Sequence, residues 1–308
     1  QSGYSTRKMN AGLIRNRGVE LSLGGMPVST KNWKWEMNFN IAKNSNKLVE
    51  LADGVDSYSI YWTSFTTRLY NYAMVGKSLG VITGNTWERD DNGNIIFHEL
   101  SASQKALYGG EYVPTYNQNT LDELGNFHPD FTGGFNTSIS FKNFRLSANI
   151  DFSVGGQIVS YTNMWGSSSG ILDKTAELND RGVNVREPVS KGGGIHMTGV
   201  DQDGNKVDTY VNAKLYYTTA SRVWEEWVYD RTYVKLREVS LSYVFPSQTL
   251  KKLNIGLSRV SVAINASNPW LIYSACPNVD VSEIGMGYFE GGNAAATRSI
   301  GFTVNLAF

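Results

Sequence analysis

The segment Arg298-Ser299-Ile300-Gly301-Phe302-Thr303-Val304-Asn305-Leu306-Ala307-Phe308 governs how the whole chain is read. Ile300, Phe302, Val304, Leu306 and Phe308 alternate with Ser299, Gly301, Thr303, Asn305 and Ala307. A strand places successive side chains on opposite faces of its sheet, so one face here is greasy and the other small and polar. The run has about the 9–11 residues that a tilted strand needs to cross a bilayer.

The same pattern recurs upstream. Trp33, Trp35, Met37, Phe39 and Ile41 are interleaved with Lys34, Glu36, Asn38 and Asn40. Phe144, Leu146, Ala148, Ile150, Phe152 and Val154 are interleaved with Arg145, Ser147, Asn149, Asp151 and Ser153. Shorter alternations run over 135–141 and 260–265, and weaker ones over 16–23, 66–75, 79–87 and 232–245. In 232–245 the phase slips between Leu236 and Val239, as a β-bulge requires. Together these predict about nine strands, at approximately 16–24, 33–42, 66–75, 79–87, 133–141, 143–154, 232–245, 255–266 and 298–308.

The connections between them alternate in length. Those at 25–32, 76–78, 142–143 and 246–254 are short, and those at 43–65, 89–130, 155–231 and 267–297 are long. Short periplasmic turns and long outer loops mark an outer-membrane barrel. Placing Phe308 at the periplasm makes every short connection periplasmic. It also brings Trp33, Trp35, Phe141, Phe144, Tyr243 and Phe245 to the same end, where an aromatic girdle belongs. A soluble sandwich shares the alternation but not this asymmetry. The expected fold is therefore all-β, an antiparallel transmembrane β-barrel in the bacterial outer membrane, with lipid against its apolar face. With nine strands and the last running down, the first also runs down, so Gln1 is expected in an extracellular loop and the chain within a larger barrel of even strand count.

Composition narrows the alternatives. Lys plus Arg equals Asp plus Glu at 28 each, which leaves no field to attract nucleic acid. The single cysteine, Cys276, excludes an internal disulfide framework and a cysteine zinc site. No apolar run approaches the ~18 residues of a membrane helix.

No catalytic constellation emerges, and no enzyme activity is expected. Gly166-Ser167-Ser168-Ser169-Gly170 matches a nucleophile pattern but lacks the strand-to-helix elbow that strains and exposes the serine, so it reads as flexible loop. Gly76-Lys77-Ser78 resembles the end of a phosphate loop, yet Asn71 stands where the earlier glycine is required. His98, His128 and His196 lie in separate contexts and read as solvated. No resident cofactor or metal is expected, with calcium left open at Asp90-Asp91-Asn92-Gly93-Asn94 and Asp201-Gln202-Asp203-Gly204-Asn205, which lack a terminal glutamate and equally suit hairpin turns.

The connection 155–231 is far longer than the ~15 residues beyond which a loop implies function. Within it Tyr161, Asn163, Trp165, Trp224, Trp227 and Tyr229 are candidate contacts, rings covering apolar faces and polar groups fixing orientation. The alternative, that 224–229 forms the outer aromatic girdle, stays open. Lys34, Glu36, Asn38, Arg145, Asn149 and Asp151 are the candidate lumen lining.

Several stretches in order resemble the C-terminal region of the SusC/RagA-type TonB-dependent transporters of Bacteroidota. They are Asn16-Arg17-Gly18-Val19-Glu20-Leu21 before Trp33-Lys34-Trp35; Gly125-Asn126 and Pro129-Asp130-Phe131-Thr132-Gly133-Gly134 before Phe141-Lys142-Asn143-Phe144; Tyr233-Val234-Lys235-Leu236-Arg237-Glu238-Val239 with Tyr243-Val244-Phe245-Pro246; Asn265 to Asn268; and the terminal strand. The Asp-Pro-Glu common after the penultimate strand in that family is missing; Cys276-Pro277 and then Asp280 stand nearby. The resemblance implies a plugged barrel of about 22 strands, this chain supplying the last nine or so, with plug and TonB-contacting segment upstream. It implies TonB-dependent import of oligosaccharide or peptide with a SusD-like surface lipoprotein. A docking or assembly component of an outer-membrane complex on the same fold is the alternative, and a rim enzyme a third. Phe302, Val304, Leu306 and Phe308 fit the aromatic-ended strand recognised by the barrel-assembly machinery.

Overall fold

The computed structural model describes residues 12–63, 68–118, 121–253, 256–284, 288–291, 294 and 296–308. Among them seven strands form one antiparallel sheet: β1 Leu13–Ser29, β2 Trp33–Glu50, β3 Phe131–Phe141, β4 Phe144–Val154, β5 Tyr233–Val244, β6 Arg259–Ser274 and β7 Ser299–Ala307, each beside its predecessor. No described helix is long and apolar enough to cross a membrane.

The pairing register turns the alternation of each strand into continuous rows. Trp35, Ile139, Leu146, Leu241, Ile264 and Phe302 are paired in succession from β2 to β7. The next row on the other face is Glu36, Ser138, Ser147, Ser240, Asn265 and Gly301. A one-residue slip anywhere would turn an apolar set inward, so the two-faced pattern fixes the register. The apolar face is uncovered by protein; Ile264 is 55% and Phe302 68% exposed. That is the surface a bilayer covers. The Thr137 hydroxyl on this face accepts from the Trp35 indole N–H at 2.9 Å and donates to the Glu36 carbonyl at 3.3 Å, so it is not bare in lipid. At the lower end Trp33, Phe141, Phe144 and Tyr243 share one row, with ring centroids 4.3 Å apart for the first pair and 4.7 Å for the last.

The bulge lies where the alternation slips. The register shifts between Leu236 and Glu238 against β6 and between Asn149 and Ile150 against β4, leaving Arg237 as the extra residue. Two expected wall strands lie elsewhere. The regions 66–75 and 79–87 contribute Leu69–Met74 and Val81–Gly84, which join Ser57–Thr63 and Asp122–Asn126 in a separate four-stranded sheet. Leu69 and Ala73 are buried on one side of that sheet, and half-burial against protein gives the same period as half-burial in lipid. Thr66, Thr67 and Ile255, expected in strands, lie outside the described residues. Removing one upward and one downward strand leaves the direction of all others unchanged.

The turn 76–78 is likewise not periplasmic. Gly76 N–H donates to the Leu48 carbonyl at 2.8 Å and Leu48 N–H to the Lys77 carbonyl at 2.9 Å, at the far end of β2. Asn46 Oδ1 accepts from Ser78 Oγ at 2.9 Å and Leu79 N–H at 2.6 Å. β2 therefore continues well past Ile41. Lys43, Asn44, Ser45 and Lys47 are polar on both faces there, so alternation no longer reports the strand.

β1 and β7 are the lateral edges of the sheet, and among the described residues neither has a strand on its outer side. An unpaired edge is prohibitive in lipid, so closure needs further strands along both.

Gly133 shows how tightly the wall is fitted. A Cβ there would come 2.3 Å from the Asn40 carbonyl and 2.5 Å from the Phe152 ring, whereas one on Gly301 meets nothing within 4 Å. Gly133→Ala in the whole receptor is expected to cost about 1–3 kcal/mol by overpacking. Gly301→Ala should leave assembly unchanged, read as the share of unheated protein migrating as folded barrel in detergent gels.

Candidate functional site

The structure places Lys34, Glu36, Asn38, Arg145, Asn149 and Asp151 on the one polar face of the wall. Glu36 is the hub of its lower part, accepting from Lys34 Nζ at 2.5 Å, Ser138 Oγ at 3.1 Å and Arg145 Nη2 at 3.2 Å. Glu36, Ser138 and Arg145, with Asn149 and Glu238, line a cavity of about 380 Å3. The side chains of Lys34, Glu36 and Arg145 are a third to a half exposed, so each pair contributes little stability, about 0–1 kcal/mol. The mosaic presents donors and acceptors of both signs.

Higher on the wall the charges are paired around one buried cation. The Lys235 side chain is 1% exposed, and its Nζ donates to Asp280 Oδ2 at 2.7 Å, Ser282 Oγ at 3.0 Å and Glu283 Oε1 at 2.6 Å. Three protons meet three acceptors. Arg237, the bulged residue, donates to both oxygens of Asp151 at 2.8 and 3.0 Å and also to Glu283. Tyr233 O–H donates to Asp151 at 3.1 Å. The turn Val281–Glu283 is thereby pinned to β5 and β4. Burial alone would raise the Asp280 carboxyl, but hydrogen bonds from Lys235 and Ser282 outweigh it and hold it below the usual carboxylate range. The Lys235 hydrogen bond does the same for Glu283, against some desolvation and with help from Arg237. Of this network sequence reasoning singled out only Asp151. The partners of Lys235 lie 45 to 48 residues away, and the one local signal was the phase slip at Arg237.

The connections 51–130 and 155–232 fold together as one outer module. Its core includes Leu69, Ile82, Met164, Tyr217, Trp224 and Trp227, all buried. Trp224 is 0% exposed beneath Gly84, where a Cβ would come within 2.8 Å of it. Trp227, 1% exposed, donates its indole N–H to the Ala220 carbonyl at 2.7 Å. Between them Glu225 takes Arg89 through two hydrogen bonds at 2.7 and 3.1 Å, and Glu226 accepts from the Trp87 indole at 2.6 Å. The segment 224–229 is thus the joint between the two long connections, and neither a girdle nor a contact surface.

The other candidates follow suit. Tyr161 is buried against Trp224 and Phe289. Asn163 donates to the Ser160 hydroxyl and the Pro277 carbonyl and accepts from Asn278, tying its helix to the loop after β6. Tyr229 is half-buried opposite Ile158, and burial raises its phenol to about 12. Trp165 alone of the six is exposed, at 43%. With Ile171, Leu172 and Phe289 it lines an apolar cavity of about 520 Å3.

The remaining motifs find structural roles. Asp90 Oδ1 accepts from the amides of Asn92 and Asn94 at 3.0 and 2.8 Å, and Asp201 Oδ1 from those of Asp203 and Asn205 at 2.9 and 2.8 Å. These are twin Asx turns. The serines at 166–170 end the helix Tyr161–Ser168, with Gly170 at φ 73°, and are not a free loop. His196 is not simply solvated: its ring lies 2.8 Å from both Asp180 and Asp208 and stacks on Tyr210. His128 stacks on Phe127, and burial beside Arg231 lowers its pKa.

No family model matches the chain. It is 28% identical to a TonB-dependent receptor of Formosa agariphila over 91% of its own length and 26% of that protein. It is 38% identical to the TonB-dependent receptor SusC of Bacteroides thetaiotaomicron over 48% of its length and 15% of that protein. Among solved structures, the RagAB peptide importer in its closed-closed state matches all of the chain and 31% of its own, with a TM-score of 0.66 at 16% identity. The chain thus spans under a third of the length of these relatives.

Lys235→Met should leave Asp280 without its cation and Glu283 with Arg237 alone, a loss of about 1–3 kcal/mol that shows as faster proteolysis of 276–284 in the folded receptor. Because both carboxyls are held low, their contribution is complete above the ordinary carboxylate pKa and is lost as pH falls through the depressed values. The same cleavage should therefore stay slow in wild type from neutrality to about pH 5 and rise only in stronger acid.

Proposed function

We propose that this chain, part of the barrel of a SusC/RagA-type TonB-dependent receptor of the outer membrane, serves in energised uptake of a nutrient oligosaccharide or peptide, with a SusD-like lipoprotein meeting its outer module. The observation that carries the reading is the order of the outer face: two long connections share a tryptophan core and stand fixed above a polar wall. A wall whose polar face mixes Lys34, Glu36, Asn38, Arg145 and Asn149 suits a largely neutral, hydrogen-bonding cargo, because neither sign of charge dominates its path. The names of the relatives, receptors coupled to TonB, favour the same class of activity. Covalent chemistry has no part in it.

Deletion of the receptor gene is expected to abolish growth on one defined oligosaccharide or peptide source, and restoration should require an intact TonB-contacting segment. The lipoprotein should co-purify with wild type. Unchanged growth on every source, with the surface complex still assembled, would favour a docking role instead.

A further inference from the structure

Ser169 separates two cavities of the outer module. On one side lies the apolar cavity rimmed by Trp165; on the other lies a mixed one of about 490 Å3. The charged groups lining this mixed cavity are two cations, Arg186 and Lys214, with no carboxylate. Among the described residues neither cation forms an ion pair, in a module where Arg89 is matched to Glu225. Arg186 is held entirely by neutral acceptors: its Nε donates to the Thr175 carbonyl at 2.7 Å and its Nη2 to Thr175 Oγ1 at 2.5 Å and to the Gly170 carbonyl. Its charge is positioned but not neutralised.

Lys214 sits in the first turn of the helix Ala213–Ala220, where the aligned peptide dipoles add positive potential. Asn212 caps that turn, accepting from the Lys214 and Leu215 amides at 3.1 and 3.3 Å. A further observation is independent of charge. Ser167, also lining the cavity, is 1% exposed and its hydroxyl has no partner among the described residues, a cost that a native structure normally avoids.

We propose that this cavity is a carboxylate subsite for the cargo, Lys214 and Arg186 holding the anionic end group while the neighbouring Trp165 cavity covers the adjoining apolar face. The inference deepens the uptake reading and rests on it. Two cargoes carry the required group, a peptide through its C-terminus and an acidic oligosaccharide through a uronic acid.

The test uses the whole receptor purified in detergent and four probes: tetra-alanine and its C-terminal amide, and a galactose trimer ending in a single galacturonic acid and the neutral galactose trimer, titrated by calorimetry. One carboxylate probe should bind at least about tenfold more tightly than its neutral counterpart, and which one does so identifies the source. Lys214→Gln lies on an exposed position and should weaken that probe by about tenfold while leaving its neutral counterpart unchanged; Ser167→Ala should weaken it by a smaller factor. Equal binding of charged and neutral probes, no binding of either acid, or no effect of Lys214→Gln overturns the subsite. Growth of the deletion strain is read separately. Selective carboxylate binding with growth unaffected would sink the uptake reading and not the subsite; lost growth with no carboxylate binding would do the reverse.

Discussion

A strand in a bilayer has no water with which to satisfy its peptide groups, so every one must pair with a neighbouring strand. That restriction orders the rest of the wall. It demands a ladder from β1 to β7, the ladder fixes the register, and the register assembles single residues into rows of one character. The Thr137 hydroxyl is tolerable on the apolar face because the Trp35 indole sits diagonally beside it. The bulge at Arg237 disturbs the ladder at a level where the extra residue's guanidinium reaches Asp151 and Glu283, so the irregularity is cross-braced by charge.

How much of this could be read beforehand depended on what each face touches. β7 and the lower half of β2 were legible because lipid on one side and polar surroundings on the other force strict alternation. Past Ile41 both faces of β2 are polar, and the strand runs on to Glu50 without a periodic sign. Residues 69–74 failed in the opposite way, since Leu69, Asn71 and Ala73 alternate against a protein core and imitate a lipid-facing strand. In the candidate site the polar wall residues were legible for the same reason as the strands. Trp224 and Trp227 were not: an aromatic in a long connection serves equally well as core or as surface, and the carboxylates between them, bound to Arg89 and Trp87, belong to partners more than 130 residues away. The buried lysine on β5 is the sharper case, because only the three-dimensional path of the loop after β6 supplies its acceptors.

The outer module is a small soluble-like fold grafted onto a membrane sheet. Its two source segments are knit at several levels: the parallel bridge between Ile96 and Val200, the Arg89–Glu225 pair, and the tryptophan joint below. Each connection alone would expose a large apolar surface, so each folds only on the other. Change in one is therefore constrained by the other, whereas Trp165, Ile171 and Lys214 face outward on the rims.

The extension of β2 beyond the lipid bears on height. Residues 43 to 50 add eight positions to the strand, and at about 3.3 Å per residue the six up to Leu48 lift the point where it meets the turn 76–78 by roughly 15 Å once strand tilt is allowed for. The module rests on this stilt instead of lying at the membrane surface. The stilt's rungs are the peptide hydrogen bonds it shares with β1, so lowering or tilting the module's contact at Leu48 would require unzipping that ladder from the top.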